Sequence, residues 1–128
     1  MKTIKQVVIF EAEPHEVYED FMDSKKHAEF TGEKAKISRE IKGKIMAYDG
    51  YIVGKNIELV EDKKIVQEWT ASDWEGHTSK VIFTFEKVKE GTKLVFVQEN
   101  VPDDQFEAIS DGWKEYYWDK LKDYLKAL

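Results

Sequence analysis

The C-terminal part of the chain carries an apolar surface that is too wide for a helix lying on the outside of a domain. The stretch Asp111 to Leu125, DGWKEYYWDKLKDYL, contains five aromatic residues. At 100° per residue the apolar positions cover an arc of about 200°, twice the usual stripe. The arc predicts a helix that other elements grip on more than one side. Its positions are Phe106, Ile109, Trp113, Tyr117, Leu121, Tyr124 and Leu128, with Tyr116 and Trp118 at the two flanks.

The middle of the chain alternates apolar and polar residues, which is typical of strands with one covered face. Turn residues recur through this region, and Asp49-Gly50 between two apolar runs indicates a tight hairpin. The alternation predicts about six antiparallel strands, at roughly 34–41, 44–48, 51–60, 63–72, 78–88 and 92–100.

The N-terminal region predicts one further strand and two short helices. TIKQVVIFEA is rich in β-branched residues, and Pro14 after it suits the first turn of a helix. A second short helix is expected from Ser24 to just before Gly32. The order of elements predicts an α+β fold over residues 1–128, treated as a single domain. In this fold a curved antiparallel sheet of about seven strands wraps a long C-terminal helix, with two short helices after strand 1.

The start of the long helix is predicted from a capping box. Asp104 follows Pro102 and precedes Glu107 by three residues, the spacing in which two side chains satisfy free N–H groups at a helix start. We therefore expect the helix to begin at Asp104.

Composition excludes several classes of protein. The 128 residues include no cysteine, so disulfides and thiolate metal sites are excluded, and a net charge of -6 argues against general nucleic-acid binding. No apolar run is long enough to span a bilayer, and the N-terminus lacks the pattern of a signal peptide. We expect a soluble, unprocessed cytoplasmic protein.

Four segments resemble one known family. FTGEKAKIS, DGYIVGKNIEL, IVQEWTASDWEGHTSKVIFTF and GWKEYYWDKLKDYL are similar to the AHSA1-like group, the domain at the C-terminal end of the activator of Hsp90 ATPase. This group belongs to the START and Bet v 1-like superfamily (SRPBCC), whose fold is the helix-grip. The residues that carry the resemblance are Phe30, Thr31, Gly32, Gly50, Trp69, Trp74, Gly76, Gly112, Trp113 and Tyr117.

The resemblance implies two kinds of function. Superfamily members bind lipids, hormones and polyketides between sheet and helix, and some catalyse cyclisation or dehydration there. The co-chaperone group contacts an Hsp90-type chaperone, a stress-response role. We predict a non-catalytic binding module for a small hydrophobic ligand, a chaperone partner or both. The alternative is an enzyme of the polyketide cyclase or dehydratase type acting on a hydrophobic substrate in the same cavity.

The residues themselves favour binding over catalysis. The predicted inner face supplies aromatics and amides but no convincing nucleophile or pair of carboxylates. His15, His27 and His77 lack the spacing of a metal site, so neither a metal nor another cofactor is expected. The loop SDWEGHTS places Asp73, Glu75 and His77 near one another, and an imidazole held by a carboxylate could form an acid–base pair, but charged residues at a hairpin tip are usually only solvated.

Two glutamines are expected on the covered face of the sheet. By alternation Gln67 joins Trp69, and Gln98 joins Phe96. Each amide either bonds to backbone or water at the edge of the core, or orients a ligand in an otherwise apolar pocket. A void below about 100 Å³ would exclude a ligand, because ligand pockets reach about 300 Å³ or more. The predicted cavity lining is Phe30, Ile37, Gln67, Trp69, Phe83, Phe96, Gln98, Trp113 and Tyr117.

Basic residues between 34 and 44 suggest two further contacts. Arg39 falls on the apolar side of the alternation, so it either pairs with a carboxylate at the rim, which we favour, or binds an anionic group of a ligand. The outward lysines either keep an exposed strand soluble or form a docking surface for an acidic partner such as a chaperone. These lysines are Lys34, Lys36, Lys42 and Lys44.

Overall fold

Seven strands form one antiparallel sheet in the order β1-β7-β6-β5-β4-β3-β2. The structure, a computed structural model, describes residues 1–127. The sheet predicted from alternation is confirmed, and five of the six strand ranges between 34 and 101 agree with prediction to within one residue at each end. The strands are β1 (Lys2–Phe10), β2 (Lys36–Ile37), β3 (Lys44–Ala47), β4 (Ile52–Val60), β5 (Lys64–Ala71), β6 (Ser79–Val88) and β7 (Gly91–Val101).

Two short helices follow β1, and a long helical region ends the chain. The long region, called the C-terminal helix below, consists of α3, a π-helical segment and α4 in succession. None of the helices within residues 1–127 combines the length and apolar content needed to cross a bilayer. The helical elements are α1 (Pro14–Met22), α2 (Ser24–Thr31), α3 (Phe106–Trp113), the π-helical segment (Lys114–Trp118) and α4 (Asp119–Ala127).

The ends of the two short helices follow from local sequence. Pro14 occupies the first turn of α1, where its missing N–H costs no hydrogen bond. The Asp23 carboxylate accepts a hydrogen bond from the backbone N–H of Lys26 and caps α2. Gly32 ends α2 with a φ of 80°, a left-handed conformation that glycine adopts without strain. The predicted ends of α2 are therefore confirmed.

The core lies between the inner face of the sheet and the helices. Phe83 and Phe96 are paired across β6 and β7 and are almost fully buried, and the Trp113 ring packs 4.2 Å from that of Phe96. On α4, Leu121 is fully buried. Each such side chain contributes about 1.5–3 kcal/mol when it leaves water, so the wide apolar arc of the C-terminal helix holds the curved sheet around it.

The π-helical segment changes which aromatic residues face inward. Extra residues in a π turn bring positions i and i+5 together, and the rings of Trp113 and Trp118 stack with centroids 5.4 Å apart. Trp118 is 4% exposed, whereas Tyr116 is 49% exposed. Both were predicted at the flanks of the arc, and only Trp118 turns into the core. Leu128, the last predicted position of the arc, lies outside the described residues.

Two boundary predictions are wrong. The first predicted β2 over 34–41, but β2 contains only Lys36–Ile37, because the backbone beyond it bonds to Asn56 of β4 instead of continuing the strand. The second placed a capping box at the start of the C-terminal helix. Asp104 instead lies in a 3-10 turn, Asp103–Gln105, and α3 begins at Phe106 without a side-chain cap.

Candidate functional site

A cavity of about 510 Å³ opens between the sheet and the C-terminal helix. Its volume lies within the range of small-molecule pockets. Trp69, Gln98, Trp113 and Tyr117, all predicted to line it, do so. The remaining lining residues are Glu33, Tyr48, Tyr51, Ile52, Asp73, Trp74, Gln105, Ala108, Ile109, Gly112, Tyr116 and Lys120.

The other predicted lining residues lie elsewhere. Phe30, Phe83 and Phe96 are buried in the core, and Gln67 lies in a buried hydrogen-bonded chain beside Trp69. Ile37 is half-buried and packs against the core, and its strand position also borders a groove on the other face of the sheet. Alternation places a side chain on a face, but it does not show how far along that face the helix packs.

Three of the four tryptophans, Trp69, Trp113 and Trp118, donate the indole N–H to a glutamine side chain. Outside the cavity lining, the indole N–H of Trp118 donates to Oε1 of Gln6 at 2.6 Å. The Gln6 amide nitrogen then donates to both the carbonyl and the hydroxyl oxygen of Ser110, at 3.0 Å each. The sequence reasoning missed Gln6, although its position between Ile4 and Val8 in β1 already placed it on the inner face.

Gln67 has the same arrangement with a longer chain of partners. Trp69 donates to its Oε1 at 2.8 Å, and its Nε2 donates to Oδ1 of Asn56 at 3.0 Å. The Asn56 amide donates in turn to the backbone carbonyls of Ser38 and Glu40, at 2.7 and 2.9 Å. This buried chain ties the segment after β2 to β4, which is the physical reason that β2 is short.

Gln98 has only half of this arrangement. Trp113 donates to its Oε1 at 2.7 Å. Because an indole N–H can only donate, the oxygen must face Trp113 and the amide nitrogen must point the other way. Gln98 is fully buried, and its Nε2 has no hydrogen-bond partner among residues 1–127. A buried amide donor left without an acceptor costs about 1–3 kcal/mol, so this group on the cavity wall is a candidate ligand contact.

The turn between β3 and β4 is hydrogen-bonded to the C-terminal helix beside the cavity. The Tyr48 hydroxyl donates to the backbone carbonyl of Tyr116 in the π-helical segment, whose widened turn leaves carbonyl groups available. Tyr48 and Asp49 have φ values of 50° and 53°, followed by 95° at Gly50. The turn is therefore longer than the two-residue hairpin predicted. Burial raises the pKa of Tyr48, so its hydroxyl remains a donor.

A histidine and a tyrosine meet under the C-terminal helix. Nε2 of His27 lies 3.2 Å from the hydroxyl of Tyr117, and both side chains are buried. Burial lowers the pKa of His27 to about 4 and raises that of Tyr117 well above its usual value. Both groups are neutral near pH 7, so the pair supplies a hydrogen bond rather than a charged acid or base.

Asp20 is a buried carboxyl on α1. Neither of its oxygens has a hydrogen-bond partner among residues 1–127. Burial, and secondly the nearby carboxylate of Glu16, raise the pKa of Asp20 to about 8. Asp20 therefore holds a proton at neutral pH, an outcome that its place in an amphipathic helix did not reveal.

The charged residues singled out in the sequence have local partners. Arg39 pairs with Glu19 on α1, with Nη2 to Oε2 at 2.5 Å, which is a carboxylate contact rather than a ligand contact. Asp73 accepts a hydrogen bond from the Tyr51 hydroxyl at 2.8 Å. Nε2 of His77 lies 2.5 Å from the backbone oxygen of Asn100. Asp73 and His77 thus have separate partners and do not form the acid–base pair considered above.

One histidine lies near two carboxylates. His15, Glu61 and Asp62 place one ligand atom each within 4.8 Å of one another. Nδ1 of His15 is 2.9 Å from Oδ1 of Asp62, and this hydrogen bond raises the pKa of His15. The contact is an exposed hydrogen bond between α1 and the β4–β5 turn.

A second concave surface lies on the outer face of the sheet, and we call it the lysine groove. Its volume is about 860 Å³. Three of the predicted partner residues, Lys36, Lys42 and Lys44, line it together with Lys55, while Lys34 is exposed nearby in the chain. The other lining residues are Ile37, Ser38, Ile45, Met46, Val53, Gly54, Glu68, Trp69, Thr70 and Thr78.

The family model described as activator of Hsp90 ATPase homolog 1-like protein matches residues 11–126. The chain belongs to this family. Its AHSA1 domain is 35% identical over 123 residues to an activator of 90 kDa heat shock protein ATPase homolog from Dictyostelium discoideum, covering 94% of this chain and 32% of that protein. It is 30% identical over 121 residues to homolog 1 from Homo sapiens, covering 94% of this chain and 35% of that protein.

A solved structure shows the same fold. The crystal structure of an HSP90 activator from Plasmodium falciparum superposes with a TM-score of 0.90 at 24% sequence identity, covering 97% of this chain and 96% of that one. This likeness confirms the helix-grip fold. The chain spans about a third of the length of the curated relatives it matches.

Proposed function

We propose that this AHSA1 chain is a non-catalytic binding module that engages an Hsp90-type chaperone. The proposal is supported by relatives named as activators of the 90 kDa heat shock protein ATPase. The structural observation that carries it is the set of exposed lysines on the outer face of an acidic chain with a net charge of -6. Local charge of one sign steers an oppositely charged partner and fixes its orientation.

The test is binding to the Hsp90-type chaperone of the same host. The double variant Lys36→Glu, Lys42→Glu removes two attractive charges and adds two repulsive ones. We expect at least a tenfold weaker affinity at low salt, equivalent to about 1.4 kcal/mol, and a smaller difference at high salt. Fluorescence anisotropy with labelled chain measures the affinity.

The matched control reverses lysines on another surface. Lys122 and Lys126 are exposed on α4, away from the groove lining. The variant Lys122→Glu, Lys126→Glu changes net charge by the same amount and is expected to bind the chaperone like the unchanged chain. An equal loss in both variants would show that overall charge, and not this surface, drives binding.

We further propose that the cavity binds a small hydrophobic ligand. The observation that favours this second role is the buried Nε2 of Gln98, which lacks a partner on the wall of a 510 Å³ cavity. A ligand with a hydrogen-bond acceptor would satisfy this donor after a small shift of the aromatic side chains around it. Trp69, Trp113 and Tyr117 supply the apolar surface.

Gly112 offers a direct test of the cavity. A Cβ at this position would lie 3.7 Å from the Tyr116 ring, an ordinary contact, so the backbone accepts a side chain there. We expect Gly112→Leu to fill part of the cavity and lower ligand uptake more than it lowers stability. Native mass spectrometry of chain purified from its host measures uptake. Gly112→Ala is the control, since it adds only the Cβ and favours the helix by up to about 1 kcal/mol.

Catalysis on a hydrophobic substrate in the same cavity is the alternative function. Acid–base catalysis needs a group whose pKa is close to the working pH and that lies beside the reacting atom. The His27–Tyr117 pair is neutral at pH 7. The two carboxylates that line the cavity, Glu33 and Asp73, are the remaining groups that acid–base chemistry could use, and Asp73 already accepts a hydrogen bond from the Tyr51 hydroxyl. The aromatic side chains and the Gln98 amide of the lining support binding better than turnover. Recovery of a chemically altered ligand after incubation would reverse that preference.

A further inference from the structure

We propose that the lysine groove binds an extended acidic segment of a partner protein. In this segment the carboxylates contact the lysines, and one apolar side chain between them contacts the floor of the groove. The inference deepens the proposed function by naming the chemistry that the groove recognises. It rests on the proposed function only for the identity of the protein that carries the segment.

The floor of the groove is apolar and open to solvent. The strand register places Lys36, Met46, Val53 and Thr70 in one row on the outer face of β2 to β5. Val53 is 43% exposed, and Met46 is half-buried. An apolar side chain placed over these two residues would remove apolar surface from water, which is the energetic reason for an anchor residue in the partner.

The rim of the groove carries excess positive charge. Lys44 and Lys55 are direct cross-strand partners, an arrangement in which like charges destabilise a sheet. Glu68, opposite Lys55 on β5, is the carboxylate in the lining. Within residues 1–127, Lys36, Lys42, Lys44 and Lys55 form no ion pair. Carboxylates of a bound segment would therefore relieve a repulsion that the fold leaves in place.

The dimensions suit a short extended chain. The row of floor residues crosses four neighbouring strands, a span of about 14 Å at roughly 4.8 Å between strands. About four residues of extended chain cover this distance. Gly54 lies below the groove, where a Cβ would come within 1.9 Å of the Glu68 carbonyl oxygen, so β4 and β5 approach too closely for a side chain.

A protein segment fits these features better than an anionic membrane. The chain as a whole carries a charge of -6, which opposes docking on an extended anionic surface. A short segment meets only the local lysines. The aromatic residue in the lining, Trp69, is 5% exposed, so the groove lacks the exposed aromatic side chains that anchor proteins at a membrane interface.

The experiment uses a fluorescein-labelled peptide in which one leucine lies between aspartates and glutamates, with a second peptide that replaces the leucine by glycine. We expect the full chain to bind the leucine peptide at low salt and the glycine peptide several-fold more weakly. Lys44→Glu should weaken binding at least tenfold while the unfolding midpoint stays the same or rises, because this change removes the cross-strand repulsion. Val53→Ser should weaken binding at least threefold.

Two controls match these variants. Lys89→Glu reverses an exposed lysine of the β6–β7 turn, and Val60→Ser alters a valine that is 41% exposed at the other end of β4. Both should bind the peptide like the unchanged chain. No binding of the leucine peptide, or full binding by Val53→Ser, would overturn the proposal. The proposal would also be overturned if vesicles containing phosphatidylserine displaced the labelled peptide from the chain as effectively as the unlabelled peptide does.

The same variants separate this inference from the proposed function. A chaperone that binds the unchanged chain and Lys44→Glu equally would overturn the groove assignment and leave chaperone binding in place. Peptide binding lost in Lys44→Glu, combined with no binding of any Hsp90-type chaperone, would support the groove and overturn the chaperone role.

Discussion

Gln67 and Gln98 occupy equivalent local settings, but only the amide nitrogen of Gln67 has a hydrogen-bond acceptor among the described residues. Each faces the core from a central strand and accepts an indole N–H from a tryptophan, at 2.8 and 2.7 Å. The amide nitrogen of Gln67 then reaches Asn56, whereas that of Gln98 reaches no described residue. Asn56 makes the difference, because it sits on the strand next to Gln67 and passes the hydrogen bonding on to backbone carbonyls.

The difference separates a structural amide from a candidate binding amide. Both readings were open from the sequence, which placed the two side chains on the same face. For Gln67 the hydrogen bonds account for every polar group, so packing explains the residue. For Gln98 the fold supplies no acceptor for the amide nitrogen, and the residue lines the cavity. Ligand binding at Gln98 remains our proposal.

Among the variants that test this comparison, Gln67→Leu is expected to have the largest effect on the free energy of unfolding. The change leaves the indole N–H of Trp69 and Oδ1 of Asn56 buried without partners, so we expect a loss of about 2–4 kcal/mol in the free energy of unfolding. Urea denaturation measures it. Gln6→Leu, which removes the partner of the Trp118 indole N–H and of two oxygens of Ser110, should behave similarly. A loss below about 1 kcal/mol would show that the polar chain is not a stabilising element.

A medium effect is expected from a second buried group without a partner, Asp20. Its pKa in the folded state is about 8, above the value of 3.8 expected when it is exposed, so the folded chain holds a proton that the unfolded chain releases. Its contribution to stability is therefore greatest at low pH and is lost as the pH rises toward 8. His27, with a folded pKa of about 4, acts in the opposite direction, but only below about pH 6.5.

Over the pH range from 6.5 to 8 the slope contains Asp20 and also His15, whose pKa the hydrogen bond to Asp62 raises, and both act in the same direction. We expect the free energy of unfolding to fall by about 1–2 kcal/mol across this range because of Asp20, and Asp20→Asn to remove most of the fall. Urea denaturation at several pH values is the measurement, and Asp123→Asn on the exposed face of α4 is the control. A slope that persists undiminished in Asp20→Asn would assign the titration to another group.

The smallest effect is expected from Gln98→Leu. The change strands the indole N–H of Trp113 but also removes an amide nitrogen that already lacks a partner. These two costs nearly cancel, so we expect a loss of about 0–1 kcal/mol in stability. Ligand uptake measured by native mass spectrometry should fall despite the small change. A loss as large as that of Gln67→Leu would place Gln98 with the structural amides.

Much of the fold follows from the sequence because its signals are local. Alternation located β3 to β7 within one residue at each end, and Gly32 ended α2 where its left-handed conformation was expected. The width of the aromatic arc correctly indicated a helix held by a curved sheet. These features depend on neighbours in the chain, which the sequence displays directly.

The remaining features depend on contacts between distant segments. The shortness of β2 results from Asn56, which is 16 to 18 residues away from the carbonyls that it binds. The π-helical segment accompanies a hydrogen bond from Tyr48, 68 residues earlier in the chain. The free amide of Gln98 is visible only once the partners of Trp113 are known. Sequence patterns could name the cavity-lining candidates but not divide them between core and cavity.

The stacked indoles give this protein an internal spectroscopic reporter. The Trp113 ring lies 5.1 Å from that of Trp69 and 5.4 Å from that of Trp118, so the excited states of the three rings are coupled. Their signal in near-ultraviolet circular dichroism should depend on the mutual angles of the rings. A molecule that enters beside Trp113 would alter those angles, and its arrival could be followed optically without any attached dye.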